Sequence, residues 1–401
     1  MKYLVILTDG MADYPIPELG GQTPLQYAHT PFMDKLAKTS LIGKAATIPA
    51  GFPPGSDVAN LSVLGYDPAL YYTGRSPLEA VSLGVTLQEK DLAIRCNLVT
   101  LSPEDAYSAK TMLDYSAEEI PTEVAHQLLE TIQSELGNEQ FAFYPGISYR
   151  HLLVWKGGYN KKVDLTPPHD ISEQKIMPFL PSGYDGNYLL MLMEKSAEIL
   201  RDHPVNQSLT ASGHLPANSI WLWGEGRKLS LPGFAEKYGL TGSVVCAVDL
   251  VKGLGISAGL TPVTVEGATG SVKTNFRGKA EAAIKELESG KDFVFLHIES
   301  PDESSHQGSL PGKIWSIEQI DSQVIAAVIE AIDRLADIKI MILPDHPSPL
   351  SIRTHSSDPV PFMIYDSRRT FNSVGVYDEI HAEQGPFITP GHTLMDYFIR
   401  L

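Results

Sequence analysis

Tyr3-Leu4-Val5-Ile6-Leu7 is followed at once by Thr8-Asp9-Gly10. A short β-rich run that stops on a carboxylate is how a buried parallel strand delivers a side chain to the carboxyl edge of a sheet, where α/β proteins place their sites. The pattern recurs twice towards the other end of the chain. Asp292-Phe293-Val294-Phe295-Leu296-His297-Ile298 runs into Glu299-Ser300-Pro301-Asp302, and Ile338-Lys339-Ile340-Met341-Ile342-Leu343 runs into Pro344-Asp345-His346. Between these strands, good helix formers with apolar residues at helical spacing predict a helix over 277–289, stopped by Gly290, and a longer one over 317–335. Strands alternating with helices predict an α/β fold with a mostly parallel sheet covered on both faces.

The middle of the chain reads differently. Strand-like runs at 92–101, 149–155 and 219–223 mix with one clear helix over 122–136, and a Pro/Gly/Asn-rich stretch occupies 167–187. This predicts a smaller α+β domain, 89–226, inserted into a first domain made of 1–88 and 227–401. Two domains also suit 401 residues, at about 100–200 residues per domain.

With 43% hydrophobic and 20% charged residues, the chain has ample material for a core. A net charge of −17 disfavours general binding to nucleic acid or to an anionic membrane, since both are polyanions. An acidic protein that handles an anionic substrate must concentrate cations or metals in its site. Cys96 and Cys246 show no paired metal-binding spacing and make no disulfide framework. The opening apolar run is too short for a signal peptide, and no stretch approaches the roughly 20 apolar residues of a membrane span. A cytoplasmic enzyme is expected.

Three clusters carry chemistry, and their value lies in combination. Asp302 and His306 are four residues apart, so on a helical turn they face the same way and could share one metal. Asp345-His346 sits directly after a strand, where adjacent side chains diverge. His392, in Thr389-Pro390-Gly391-His392-Thr393, lies in a turn before a last amphipathic segment. Asp9 is the fourth strand-end contributor. Carboxylate oxygens mixed with imidazole suit Mn²⁺ or Zn²⁺ rather than Ca²⁺ or a thiolate-loving metal.

The nucleophile candidate is Ser56, in Gly51-Phe52-Pro53-Pro54-Gly55-Ser56-Asp57-Val58-Ala59-Asn60. Its context predicts the N-cap of a helix, where backbone N–H groups and the dipole favour a phosphoryl group. A coordinating metal would lower its pKa enough to make an alkoxide. Asp57 either orients a proton or caps the same helix.

The chain resembles the archaeal-type branch of the 2,3-bisphosphoglycerate-independent phosphoglycerate mutases, within the alkaline phosphatase superfamily. The likeness runs nearly end to end. It is carried by the opening strand-Asp-Gly, Pro-Pro-Gly-Ser-Asp-Val-Ala-Asn-Leu-Ser-Val-Leu-Gly-Tyr-Asp-Pro at 53–68 and Arg95-Cys96-Asn97-Leu98-Val99-Thr100. Further on come Pro301-Asp302-Glu303-x-x-His306, Asp345-His346, His355-x-x-Asp358-Pro359-Val360-Pro361 and Pro390-Gly391-His392. The resemblance implies an alkaline-phosphatase-like three-layer α/β domain with an inserted lid. It further implies two divalent cations, Mn²⁺ first, with Zn²⁺, Co²⁺ or Mg²⁺ as alternatives. Asp302, His306 and His392 would hold one; Asp9, Ser56, Asp345 and His346 the other. Ser56 would take the phosphoryl group from 3-phosphoglycerate and return it to the 2-hydroxyl of the retained glycerate, so no bisphosphoglycerate cofactor is needed.

The inserted domain would keep water out and clamp the substrate's carboxylate and phosphate with cations. Its candidates are Arg95, Arg150, and Arg227 with Lys228. His355 is either a group beside the metals or a structural histidine. Two departures from the family pattern stand out: Pro347 after Asp345-His346, and Glu118-Glu119 after Asp114-Tyr115-Ser116-Ala117, which leaves open the lid residue that assists proton transfer, Asp114 being a candidate. A hydrolase on the same scaffold, a phosphomonoesterase or a phosphonate-processing enzyme, and a binding protein with a silent site are the competing readings. The size and arginines of the inserted domain favour the mutase over the first, and the intact Ser56 and ligand set over the second.

Overall fold

The computed structural model describes residues 1–335, 337–372 and 374–401. The chain divides into two compact units, 1–72 with 230–401, and 73–229.

The first unit is built on an eight-stranded mixed sheet. Lys2–Thr8 lies at its centre, parallel to Phe293–Ile298 on one side and to Ile338–Leu343 on the other. All three strands are buried almost throughout, which is why they read as continuous apolar runs rather than as alternating ones. Beyond Ile338–Leu343 the sheet turns antiparallel, through Val360–Asp366 and then Leu41–Ala45.

One covering helix is Phe276–Glu288, where the sequence expects it. Asn275 caps its first turn by accepting from the Gly278 N–H at 2.9 Å, and it buries Phe276, Ala280, Ala283, Ile284 and Leu287. The second expected helix begins earlier, as Leu310–Gln319, because Ser309 caps it from the Gly312 N–H and Pro311 suits its first turn. It then widens into a π-helical turn, Ile320–Ile325, before Ala326–Ala331. The widened turn carries buried Asp321, which accepts from the first-turn amides of Phe32 and Met33 at 3.2 and 2.7 Å. No helix among the described residues is long and apolar enough to cross a membrane.

The second unit is α+β. Leu92–Leu101 runs antiparallel to Arg150–Trp155 on one side and to Ser219–Arg227 on the other. Helices Thr122–Leu136 and Gly186–Arg201 share one core with the sheet, including Leu98, Leu128, Ile132, Leu189, Met193 and Trp221. On the other face, Ala80 and Leu87 pack with Ala93, Leu152 and Val154. Residues 73–88 therefore belong with this unit. Its far limit lies past Arg227, which pairs with Leu92 inside the sheet. The limits thus fall at 72/73 and 229/230 rather than at 88/89 and 226/227.

Leu296 is fully buried at the middle of the parallel strands. Leu296→Ala should lower stability by about 2–5 kcal/mol, read as a lower urea midpoint with little change in slope.

Candidate metal and nucleophile site

Register decides what meets at the sheet edge. Leu7 pairs with both His297 and Leu343, so the three central strands end nearly level, and Asp9, Glu299 and Asp345 follow them out. His346 Nε2 then lies 3.1 Å from Ser56 Oγ, 3.4 Å from Asp345 Oδ2 and 3.7 Å from Asp9 Oδ1. Asp9, Asp345 and His346 are fully buried and offer ligand atoms within 4.8 Å of one another. Ser56 is the first residue of helix Ser56–Val63, not its N-cap. Gly55 holds the cap position in extended backbone, φ 177°, and no side chain caps the turn. The Ser56 hydroxyl is thereby left to face His346. Asp57 accepts from the Val58 N–H through Oδ1 at 2.9 Å and from the Tyr72 hydroxyl through Oδ2 at 2.5 Å, so both its oxygens are engaged.

These donors are fixed from behind. Asn60 Nδ2 donates to Asp345 Oδ2 at 2.9 Å and to the Ser56 carbonyl at 2.8 Å. The amides of Gly10 and His346 donate to Asp345 Oδ1 at 3.3 and 2.9 Å. His346 Nδ1 meets Ser348 Oγ at 3.2 Å, which leaves Nε2 for the cluster; a ligating imidazole is oriented through its other nitrogen in this way. Asp9 Oδ1 is buried without a hydrogen-bond partner among the described residues, as a cation ligand would be. Burial, aided by Asp345, Glu299 and Asp302, pushes Asp9 well above the usual carboxylate range. Burial pushes His346 down, towards the neutral form that can ligate.

A second cluster adjoins the first. Helix Ser300–His306 sets Asp302 Oδ2 3.1 Å from His306 Nε2, as the four-residue spacing requires. His355 Nε2 is 3.1 Å from His306 Nε2 and 3.5 Å from Asp302 Oδ1. His306 Nδ1–H donates to the Arg353 carbonyl at 3.0 Å, so its neutral ring presents a lone pair at Nε2. Burial opposes ionisation of Asp302, but hydrogen bonds from His306 and His355 hold it well below the usual carboxylate range. The Asp302 pair raises His306 to about 9.

The resemblance puts His392 with Asp302 and His306; the structure puts His355 there. His392 sits in the turn Gly391–Thr393, its Nδ1 3.7 Å from Asp67 Oδ1, and it joins none of the three groups of possible ligands found among the described residues. His355 comes from the connection between Ile338–Leu343 and Val360–Asp366, where no periodic pattern marks it.

Beneath both clusters, Lys313 is fully buried. Its Nζ reaches Asp13 Oδ2 at 2.8 Å and the carbonyls of Ser348 and Ala12 at 2.9 and 3.3 Å. This ties the loop after the opening strand to the segment carrying Ser348, whose hydroxyl also donates to Asp302 Oδ1. Gly10 lies between them at φ +61°, and a Cβ there would meet Asp302 Oδ1 and Ser348 Oγ at 2.6 Å. Ser348 and His297, a histidine inside an apolar run, were not singled out by the sequence. Burial, with Lys279 nearby, lowers His297 to about 3.

In the second unit, Arg95 is buried, paired through Nε with Glu79 Oε2 at 3.0 Å and stacked 4.0 Å from the Trp223 ring centroid. Burial, opposed by Glu79 and helped by the positive fields of Arg75 and Arg150, lowers it to about 10. Arg75 Nε pairs with the other oxygen of Glu79, Oε1, at 3.3 Å, although its loop position carried no signal. Arg150 lies over Tyr149 at 5.4 Å. Arg227 is exposed at the end of its strand. Lys228 forms an exposed pair with Glu89 at 3.1 Å, worth little to stability. Asp114 accepts from the Ser116 amide and hydroxyl at 2.7 Å and from the Glu118 amide at 3.2 Å. It thereby holds a turn in which Ala117, Glu118 and Glu119 all have positive φ.

A family model described as 2,3-bisphosphoglycerate-independent phosphoglycerate mutase matches residues 37–206. A probable 2,3-bisphosphoglycerate-independent phosphoglycerate mutase of Geobacter sulfurreducens is 47% identical over 401 residues, all of both chains. The chain belongs to the 2,3-bisphosphoglycerate-independent phosphoglycerate mutases. As a phosphoglycerate mutase it is an isomerase. A Methanosarcina barkeri mutase is 49% identical over 387 residues, 96% of each chain. The solved cofactor-independent phosphoglycerate mutase of Thermoplasma acidophilum is similar at 27% identity and a TM-score of 0.66, over 100% of both chains.

Gly10→Ala should weaken divalent-cation binding about 10–100-fold, because the ligand-supporting contacts of Asp302 and Ser348 must shift; Mn²⁺ titration of chelated protein measures this. A cation at Asp302, His306 and His355 must displace the His306 proton. Its affinity should therefore fall about tenfold for each unit the pH drops below about 9, with one proton released per cation. In the cation-free protein the sign reverses: this proton stabilises the fold below 6.5, and that contribution is lost as pH rises through about 9.

Proposed function

We propose that this mutase interconverts 3-phosphoglycerate and 2-phosphoglycerate through a phosphoserine on Ser56, beside two divalent-cation sites. Asp9, Ser56, Asp345 and His346 would hold one cation. Asp302, His306 and His355 would hold the other, His355 standing where the resemblance put His392. Mn²⁺ suits these oxygen and imidazole donors, as do Zn²⁺ and Co²⁺, and Mg²⁺ is a further alternative. When bound, the cations neutralise charge on the phosphoryl oxygens and lower the pKa of the attacking hydroxyl.

The remaining work falls to the protein's own groups. Ser56 Oγ gives up its proton and attacks phosphorus as the bond to the glycerate 3-oxygen breaks, and that oxygen takes up a proton. The 2-hydroxyl of the same glycerate then attacks the phosphoserine and loses its proton, while Ser56 Oγ departs and takes a proton back. No atom is gained or lost, and no bisphosphoglycerate enters. The first-turn N–H groups of Ser56–Val63 and the helix dipole favour the phosphoryl group at Ser56. Arg95 and Arg150 are assigned to the carboxylate and phosphate of the retained glycerate, which must not exchange with water. Arg227 and Lys228 are secondary candidates for the same task. Engaged as they are, Asp57 and Asp114 are assigned to bracing their turns.

The observation that carries this reading is the meeting of Ser56 Oγ, Asp9 and Asp345 at one nitrogen of His346. Purified, Mn²⁺-loaded protein should convert 3-phosphoglycerate to 2-phosphoglycerate without added bisphosphoglycerate. Chelation, or Ser56→Ala, should reduce turnover by at least about 10³-fold, on the scale of losing a nucleophile. Inorganic phosphate as the main product would instead mark a hydrolase on this scaffold.

A further inference from the structure

His297 belongs to a third group of possible ligands, with Asp9 and Glu299, all within 4.8 Å of one another. It sits on Phe293–Ile298, fully buried, with Nε2 2.8 Å from Asp9 Oδ2 and 3.5 Å from Glu299 Oε2. Two roles fit these distances: a ligand to a third cation, or a donor that holds Asp9.

The other ring nitrogen separates them. His297 Nδ1 is buried and has no hydrogen-bond partner among the described residues. Were Nε2 a ligand, the ring hydrogen would sit on Nδ1, a fully buried donor with nothing to receive it, which folded proteins rarely tolerate. His346 and His306 differ on this point, since their Nδ1 atoms meet Ser348 Oγ and the Arg353 carbonyl. With the hydrogen on Nε2, His297 donates to Asp9 Oδ2 and only a lone pair is left over.

We infer that His297 is a positioning residue rather than a ligand: its Nε2–H fixes Asp9 Oδ2, so that Asp9 Oδ1 is held towards His346 and Ser56. The inference rests on the reading of Asp9 as a cation ligand. Histidine-to-carboxylate contacts behind a metal govern affinity without touching the ion.

The test is titration of the chelated full chain with Mn²⁺ alone, free ion being followed by electron paramagnetic resonance. Wild type should bind two equivalents. His297→Leu should raise one dissociation constant about 10–100-fold and leave the other nearly unchanged. His297→Gln, whose amide nitrogen can donate but not ligate, should recover most of that loss. Should His297→Leu fail to fold, the Gln variant decides alone: two equivalents near wild-type affinity support the inference, and loss of an equivalent overturns it. A wild type that binds three equivalents against two in His297→Gln makes His297 a ligand and overturns it too. A His297→Leu protein that binds like wild type removes this inference alone, whereas a wild type that binds no Mn²⁺ removes the cation reading with it.

Discussion

Negative charge buried at one point is the constraint on which this molecule turns. Asp9, Asp302 and Asp345 are all withdrawn from water at the edge of a single sheet. A buried carboxylate without a counter-charge costs several kcal/mol: Asp302 is offset by His306, which is raised, whereas Asp9 faces His346 and His297, which are held neutral, and is itself pushed up. Of the buried ammonium groups nearby, Lys313 is already engaged by Asp13, and Lys279 donates to the carbonyls of Thr269 and His297. On the reading proposed above, cations complete this site, and a phosphoryl group is the anion such cations attract.

The sheet keeps the charges together. Parallel strands in matched register end level, so residues far apart in sequence leave the sheet at one place. Short connections then decide which side chains turn inward. Ser348, Asn60, Arg353 and Gly10 are not catalytic groups, yet each fixes the orientation of one that is proposed to be a ligand. In the second unit Arg75 and Arg95 both pair with Glu79, and Arg150 stands near enough to Arg95 for its positive field to act on it.

Much of this was legible in the sequence because it is periodic or local. The three apolar runs, each stopped by a carboxylate, gave the parallel core, and the four-residue spacing of Asp302 and His306 gave their shared helical turn. The rest lies in tertiary packing. His355 and His392 both stand in connections without periodicity, and spacing alone does not say which one folds back onto Asp302. Residues 73–88 change neither composition nor pattern at their limits; only the apolar contacts of Ala80 and Leu87 assign them to the second unit. His297 was hidden because a histidine among Phe and Leu reads as strand core. The N-cap expected at Ser56 lay one residue away, at Gly55, a shift that matters because a hydroxyl bound to its own helix would not face His346.

Anomalous diffraction from crystals grown with Mn²⁺ addresses the core of this account. Two strong peaks should appear, one among Asp9, Ser56, Asp345 and His346, the other among Asp302, His306 and His355, with His392 outside both. A single peak elsewhere, or an ion held by His392 with Ser56 Oγ far from any metal, would contradict it.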